Sequence, residues 1–162
     1  MKDSMINKLV IIGVGLIGGS FALSLRKAGL VKHITGLGRS KENLQQALEL
    51  GIIDEISDNY SQALTKADLV LLAVPVGQTA EILQKINPHL EPQTIISDVG
   101  STKQNVIAAA RSSIPEHFKN FVPAHPIAGA EFSGFSAANA ELFRDKNLIL
   151  TPSDETDIDS IE

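Results

Sequence analysis

The sequence predicts an α/β protein, a doubly wound and mostly parallel sheet wrapped by helices. Three observations carry this. Short apolar runs alternate with longer segments whose apolar residues fall three and four apart. Runs such as Leu9-Val10-Ile11-Ile12 and Leu69-Val70-Leu71-Leu72-Ala73-Val74 are apolar on both faces, as in strands covered on both sides. Apolar residues make up 43% and charged residues 20% of 162 residues, the proportions of a single packed domain.

In chain order, strands are expected at residues 8–12, 33–38, 68–74, 94–99, 121–124 and 147–151, with a weaker one at 55–57. Helices are expected at 16–28, 41–50, 78–86 and 102–112. Alternation of this kind places helices on both faces of the sheet. Ser101 and Gln104 have the spacing of a capping box, which makes Ser101 the expected N-cap of the helix at 102–112. Residues 153–162 carry five acids, and the chain is expected to divide there: a dinucleotide-binding domain at 1–152, then the start of a connection to a further domain.

Gly13-Val14-Gly15-Leu16-Ile17-Gly18 is a G-x-G-x-x-G placed between an expected strand and an expected helix, the context in which that pattern has meaning. Gly13 permits a tight turn, Gly15 lets backbone approach a pyrophosphate, and Gly18 allows close helix–strand packing. The helix end, with the Leu16 and Ile17 amides, offers unpaired N–H groups to the phosphates. The reading is a Rossmann-like dinucleotide site. At the end of the second strand an NAD site usually places an acid for the ribose hydroxyls. Here the chain reads Gly38-Arg39-Ser40-Lys41. A guanidinium fork with a hydroxyl and an ammonium beside it suits a 2′-phosphate, so NADP is expected over NAD, with NAD use left open.

Ligands of open α/β sheets sit beyond the carboxyl ends of the strands. Val74 and Pro75, Asp98 to Lys103, and His125 with its Pro–Gly turn fall there. Val74, Pro75 and Asp98 are assigned to the cofactor and His125 is the candidate base, while a cap role for Ser101 leaves room for its hydroxyl to face the substrate as well. An imidazole titrating near neutrality is a ready proton acceptor, although composition alone leaves His125 equally open to a structural role.

Other classes are excluded by composition. A net charge of −5 and seven aromatic residues disfavour a nucleic-acid partner. No cysteine is present, which removes disulfides and thiolate metal sites and suits the reducing cytoplasm. No histidine has metal-ligand spacing. Leu9 to Leu25 is uncharged over seventeen residues, but four are glycine and the run is at the lower limit for a bilayer, so no membrane span is expected.

Together these motifs resemble those of the prephenate/arogenate dehydrogenase family. The resemblance lies in Val10-Ile11-Ile12-Gly13-Val14-Gly15-Leu16-Ile17-Gly18-Gly19-Ser20, Ala67-Asp68-Leu69-Val70-Leu71-Leu72-Ala73-Val74-Pro75 and Asp98-Val99-Gly100-Ser101-Thr102-Lys103. It is carried furthest by His125-Pro126-Ile127-Ala128-Gly129-Ala130-Glu131 with Ser133-Gly134, and spans residues 8–152. The resemblance implies oxidative decarboxylation of prephenate or arogenate in tyrosine biosynthesis, with hydride passing to NAD(P). It implies His125 as the group that deprotonates the ring hydroxyl and Ser101 as its positioning partner. It also implies a C-terminal helical domain that dimerises and completes the substrate pocket. Without it, the 162-residue chain is expected to bind cofactor with little turnover. The alternatives are another NAD(P)-dependent dehydrogenase, of the β-hydroxyacid or pyrroline-carboxylate reductase type, and a non-catalytic nucleotide-binding module.

Overall fold

In the computed structural model of the chain, residues 5–129 and 134–162 are described. Six strands, β1 (Ile6–Ile12), β2 (Val31–Leu37), β3 (Glu55–Ile56), β4 (Leu69–Leu72), β5 (Ile95–Asp98) and β6 (Phe121–Val122), form one sheet. Every pairing in it is parallel, in the order β3-β2-β1-β4-β5-β6. That is the doubly wound order, in which the direction of winding reverses at β1. The uncharged run from Leu9 thus resolves into β1, a turn and the helix α1 (Leu16–Lys27). Among the described residues no helix is long and apolar enough to cross a membrane.

The apolar character of the strands on both faces has its reason in two cores. Leu9, Ile11 and Leu71 point toward α1 and α2 (Lys41–Glu49). Val10, Ile12, Val70 and Leu72 point the other way, toward α3 (Tyr60–Leu64), α4 (Thr79–Ile86) and α5 (Lys103–Ser113). Leu9, Val10 and Ile11 are all fully buried. Alternate side chains of one strand thereby fill opposite layers.

Two expectations change. The strand anticipated at 121–124 is broken at Pro123, which has no N–H for a ladder. Phe121–Val122 stays in the parallel sheet, whereas β7 (Ala124–Pro126) leaves it and pairs antiparallel with β8 (Leu148–Leu150). The N-cap of α5 is Thr102, without a side-chain cap bond, so Ser101 lies one residue outside the helix rather than capping it. The acidic end of the chain is tied down. The Asp157 N–H donates to the Lys119 carbonyl at 2.7 Å, and Asp157 caps the short helix α6 (Ile158–Ile161).

Candidate functional site

A cleft of about 610 Å³ opens at the carboxyl ends of β1, β2 and β4. Gly13, Val14 and Gly15 form its floor, Gly38, Arg39 and Ser40 one side, and Val74 and Pro75 the other. The strand ends are bound edge to edge: the Gly13 N–H donates to the Leu37 carbonyl and the Ala73 N–H to the Ile12 carbonyl, each at 2.8 Å.

The glycines do separate jobs. Gly13 has φ +100°, and a Cβ there would lie 2.3 Å from the Ala73 carbonyl oxygen. Gly18 faces the Gly13 carbonyl so closely that a Cβ would again lie at 2.3 Å. Gly15 is different, for a Cβ on it would meet no protein atom within 4 Å, only the open cleft. Gly15 is also the N-cap of α1 and offers no side-chain acceptor, and the first turn carries no acid. The first N–H of this helix with an intrahelical partner is that of Gly19, donating to Gly15 at 2.9 Å. The preceding amides of Leu16, Ile17 and Gly18 are left at the positive end of the helix dipole. A cradle of bare backbone N–H groups, vacated of side chains, fits a pyrophosphate.

Arg39 is exposed on the cleft wall. Ser40 also lines it, but its hydroxyl caps α2 by accepting the Asn43 N–H at 3.2 Å. Lys41, the first residue of α2, is exposed and lies outside the lining. Asn43, Asp58 and Tyr60 also line the cleft and escaped sequence reasoning. Two of them follow β3, whose two residues give little periodic signal.

Asp98 ends β5 as expected, and its side chain is 3% exposed and held by protein partners. Oδ1 accepts the Ala124 N–H at 3.2 Å, while Oδ2 accepts the Gly100 N–H at 2.8 Å and the Lys103 ammonium. Lys103, whose side chain is 15% exposed, also donates to the Ala124 carbonyl at 2.7 Å. Burial pushes its ammonium below the usual lysine range, against the pull of Asp98.

His125 lies on β7, half-buried, with Nδ1 3.2 Å from the Val99 carbonyl oxygen. A carbonyl only accepts, so Nδ1 carries the proton and donates. Nε2 of the neutral ring is then the acceptor. Ser101 is exposed at the turn between β5 and α5. Neither residue lines the large cleft, which opens over β1, β2 and β4, whereas His125 stands on β7 against Val99, the residue that follows β5. Ala130, Glu131 and Ser133 of the sequence motif lie outside the described residues.

A segment downstream of His125 ties back to the glycine-turn helix. Ser20, fully buried, accepts the Asn139 N–H at 2.9 Å, and the Ser24 hydroxyl donates to the Ala140 carbonyl at 2.8 Å. Gly19 makes room, since a Cβ there would come within 2.9 Å of the Ala138 methyl.

This strand order, with a glycine turn feeding a helix at the edge of an open cleft, defines a dinucleotide-binding α/β domain. Comparisons with known proteins narrow the class. The profile of the prephenate dehydrogenase nucleotide-binding domain matches residues 21–162. The chain belongs to the prephenate dehydrogenase family. It is 39% identical to prephenate dehydrogenase of Bacillus subtilis over its whole length, covering 43% of that protein. Its fold superposes on Aquifex aeolicus prephenate dehydrogenase, solved with hydroxyphenyl propionate and NAD+, with a TM-score of 0.89 at 35% identity, covering 96% of this chain and 54% of that one. Against Synechocystis arogenate dehydrogenase the TM-score is 0.86 at 31% identity, with 95% and 53% covered. The chain thus spans about half the length of these relatives.

Proposed function

We propose that the chain is the cofactor-binding portion of a prephenate or arogenate dehydrogenase, which performs an oxidative decarboxylation of tyrosine biosynthesis. When bound, the nicotinamide dinucleotide supplies the hydride acceptor. Gly13, Gly15 and the amides of Leu16, Ile17 and Gly18 seat the pyrophosphate, and Val74 and Pro75 wall the cleft opposite β2. Arg39, with Ser40 and Lys41 beside it, receives a ribose 2′-phosphate. That arginine, in the place of an acid, supports NADP as the preferred form, although the Aquifex relative was solved with NAD+.

His125 is the base. Its Nε2 takes the proton of the substrate's ring hydroxyl while hydride leaves the carbon that bears it. The electrons of the bond to the departing carbon dioxide then complete the aromatic ring. Ser101 orients the imidazole. The observation that carries this reading is the Nδ1–H bond to Val99, which leaves Nε2 as a fixed acceptor. In cells we place the protein in the cytoplasm as a homodimer, joined through the helical half that the family resemblance implies.

His125→Asn, introduced into a chain joined to that helical half, tests the proposal. The rate with prephenate or arogenate is expected to fall by about 10²–10⁴-fold with dinucleotide affinity unchanged. A variant that keeps its rate excludes His125 as the base.

A further inference from the structure

We propose that the buried Asp98–Lys103 ion pair is the positioning device for His125, standing in for the strand that β7 lacks on one side. The inference builds on the reading of His125 as the base. Its structural half stands independently of that reading.

The argument begins with the ladder between β7 and β8. Thr151 donates to Pro123 at 2.9 Å and Ile127 to Asn147 at 2.8 Å, so odd-numbered residues of this strand bond toward β8. In an antiparallel pair the intervening residue turns its N–H and C=O the opposite way. Ala124 is that residue, and it is 5% exposed. Two buried backbone groups would be orphaned there, because Pro123 has already taken the chain out of the parallel sheet. Asp98 accepts the Ala124 N–H and Lys103 donates to the Ala124 carbonyl, one acceptor and one donor as a neighbouring strand would provide.

That carbonyl belongs to the peptide unit linking Ala124 to His125. Holding it fixes the plane from which the histidine departs. The next residue after Asp98 is Val99, whose carbonyl receives the ring Nδ1–H. One strand end therefore sets both the backbone and the tautomer of the histidine. A second observation points the same way. Lys103 is the first residue of α5, where a cation opposes the helix dipole, and it is desolvated as well. Helix stability gives no reason for a lysine at this position, whereas a donor aimed at Ala124 does.

The test is the nitrogen-15 spectrum of the His125 ring in the 162-residue chain, free of cofactor and substrate. The neutral ring of the wild type is expected as a single Nδ1–H tautomer. K103M is expected to give a mixture of tautomers with other amide signals in place, and K103R to restore the single form. If K103M does not fold, the doubly neutral D98N/K103M, which leaves no buried unpaired charge, is read in the same way. In a chain joined to the helical half, K103M should lower kcat at least tenfold with an unchanged KM for the dinucleotide. A wild-type ring protonated on Nε2 overturns the proposal without any variant, as does a folded K103M or D98N/K103M that keeps the single Nδ1–H form. Should His125→Asn retain turnover while the tautomer responds as described, the base assignment fails and the positioning claim stands.

Discussion

Alanine at Gly15 and at Gly18 should have opposite consequences, although the two glycines are three residues apart in one turn. At Gly15 the backbone is extended, with φ −112°, and a methyl group meets no protein atom within 4 Å. Reduced freedom of the unfolded chain favours alanine by about 0.4–1 kcal/mol, and loss of the N-cap preference for glycine over alanine opposes it by about 0.5–1 kcal/mol. G15A should therefore melt within about 2 °C of the wild type, given roughly 2–4 °C per kcal/mol for a domain of this size. Its methyl group nevertheless stands where the pyrophosphate must approach, and dinucleotide affinity should fall at least about tenfold, or 1.4 kcal/mol. At Gly18 the helix would gain about 1 kcal/mol from alanine. The new Cβ, however, lies 2.3 Å from the Gly13 carbonyl oxygen and 3.0 Å from a methyl of Ile11, and the carbonyl is backbone that cannot swing aside. Overpacking costs about 1–3 kcal/mol, and a contact this close to fixed backbone belongs at the upper end, so about 2 kcal/mol remains after the helix gain and G18A should melt lower by about 4–8 °C. Thermal melting with calorimetric titration of the dinucleotide reads both effects. G15A binding as tightly as the wild type would refute the placement of the pyrophosphate. G18A as stable as the wild type would refute the close packing of α1 on the turn.

Two further predictions concern local structure. Because Ser101 lies outside α5, S101A should change unfolding free energy by no more than about 0.5 kcal/mol. Asn59, which caps α3 by accepting the Gln62 N–H at 3.1 Å, should cost about 1 kcal/mol as N59A in a denaturant titration. The His33 ring N–H bond to Glu55 at 3.1 Å holds that carboxyl below its ordinary value of 4.5, with burial opposing and Thr35 assisting. A carboxylate depressed in the folded state stabilises above pH 4.5 and loses that contribution as pH falls through the lowered value. E55Q should therefore show a shallower loss of stability on acidification. Both side chains are more than a third exposed, so the effect at neutral pH should stay below about 1 kcal/mol.

The glycine turn was legible in the sequence because its signal is local: strand, turn and helix are contiguous, and each glycine answers a backbone need within that stretch. The parallel sheet was legible for a similar reason, since Leu9 to Ile12 and Leu69 to Leu72 are apolar on both faces. What escaped depends on contacts between distant residues. Pro123 signals a break, but only the pairing of Ala124 with Leu150 shows where β7 goes. Asp98 is legible as an acid at a strand end, but its enclosure by Lys103 and Ala124 depends on the fold bringing β7 beside β5. Ser101 and Thr102 are both good caps, and backbone geometry rather than residue type chose between them. Tyr60 and Asp58 follow a strand too short to announce itself.

The most direct test of the central claim, that this domain binds a phosphorylated nicotinamide dinucleotide across the β1 turn and Arg39, is a calorimetric titration of the chain with NADP+ and then NAD+, repeated on R39A. The account predicts tighter binding of NADP+, with R39A removing about 1.5–3 kcal/mol from NADP+ affinity and leaving NAD+ affinity unchanged. A folded chain that binds NAD+ as tightly as NADP+, with R39A affecting neither, contradicts the role of Arg39. A folded chain that binds neither contradicts the claim itself.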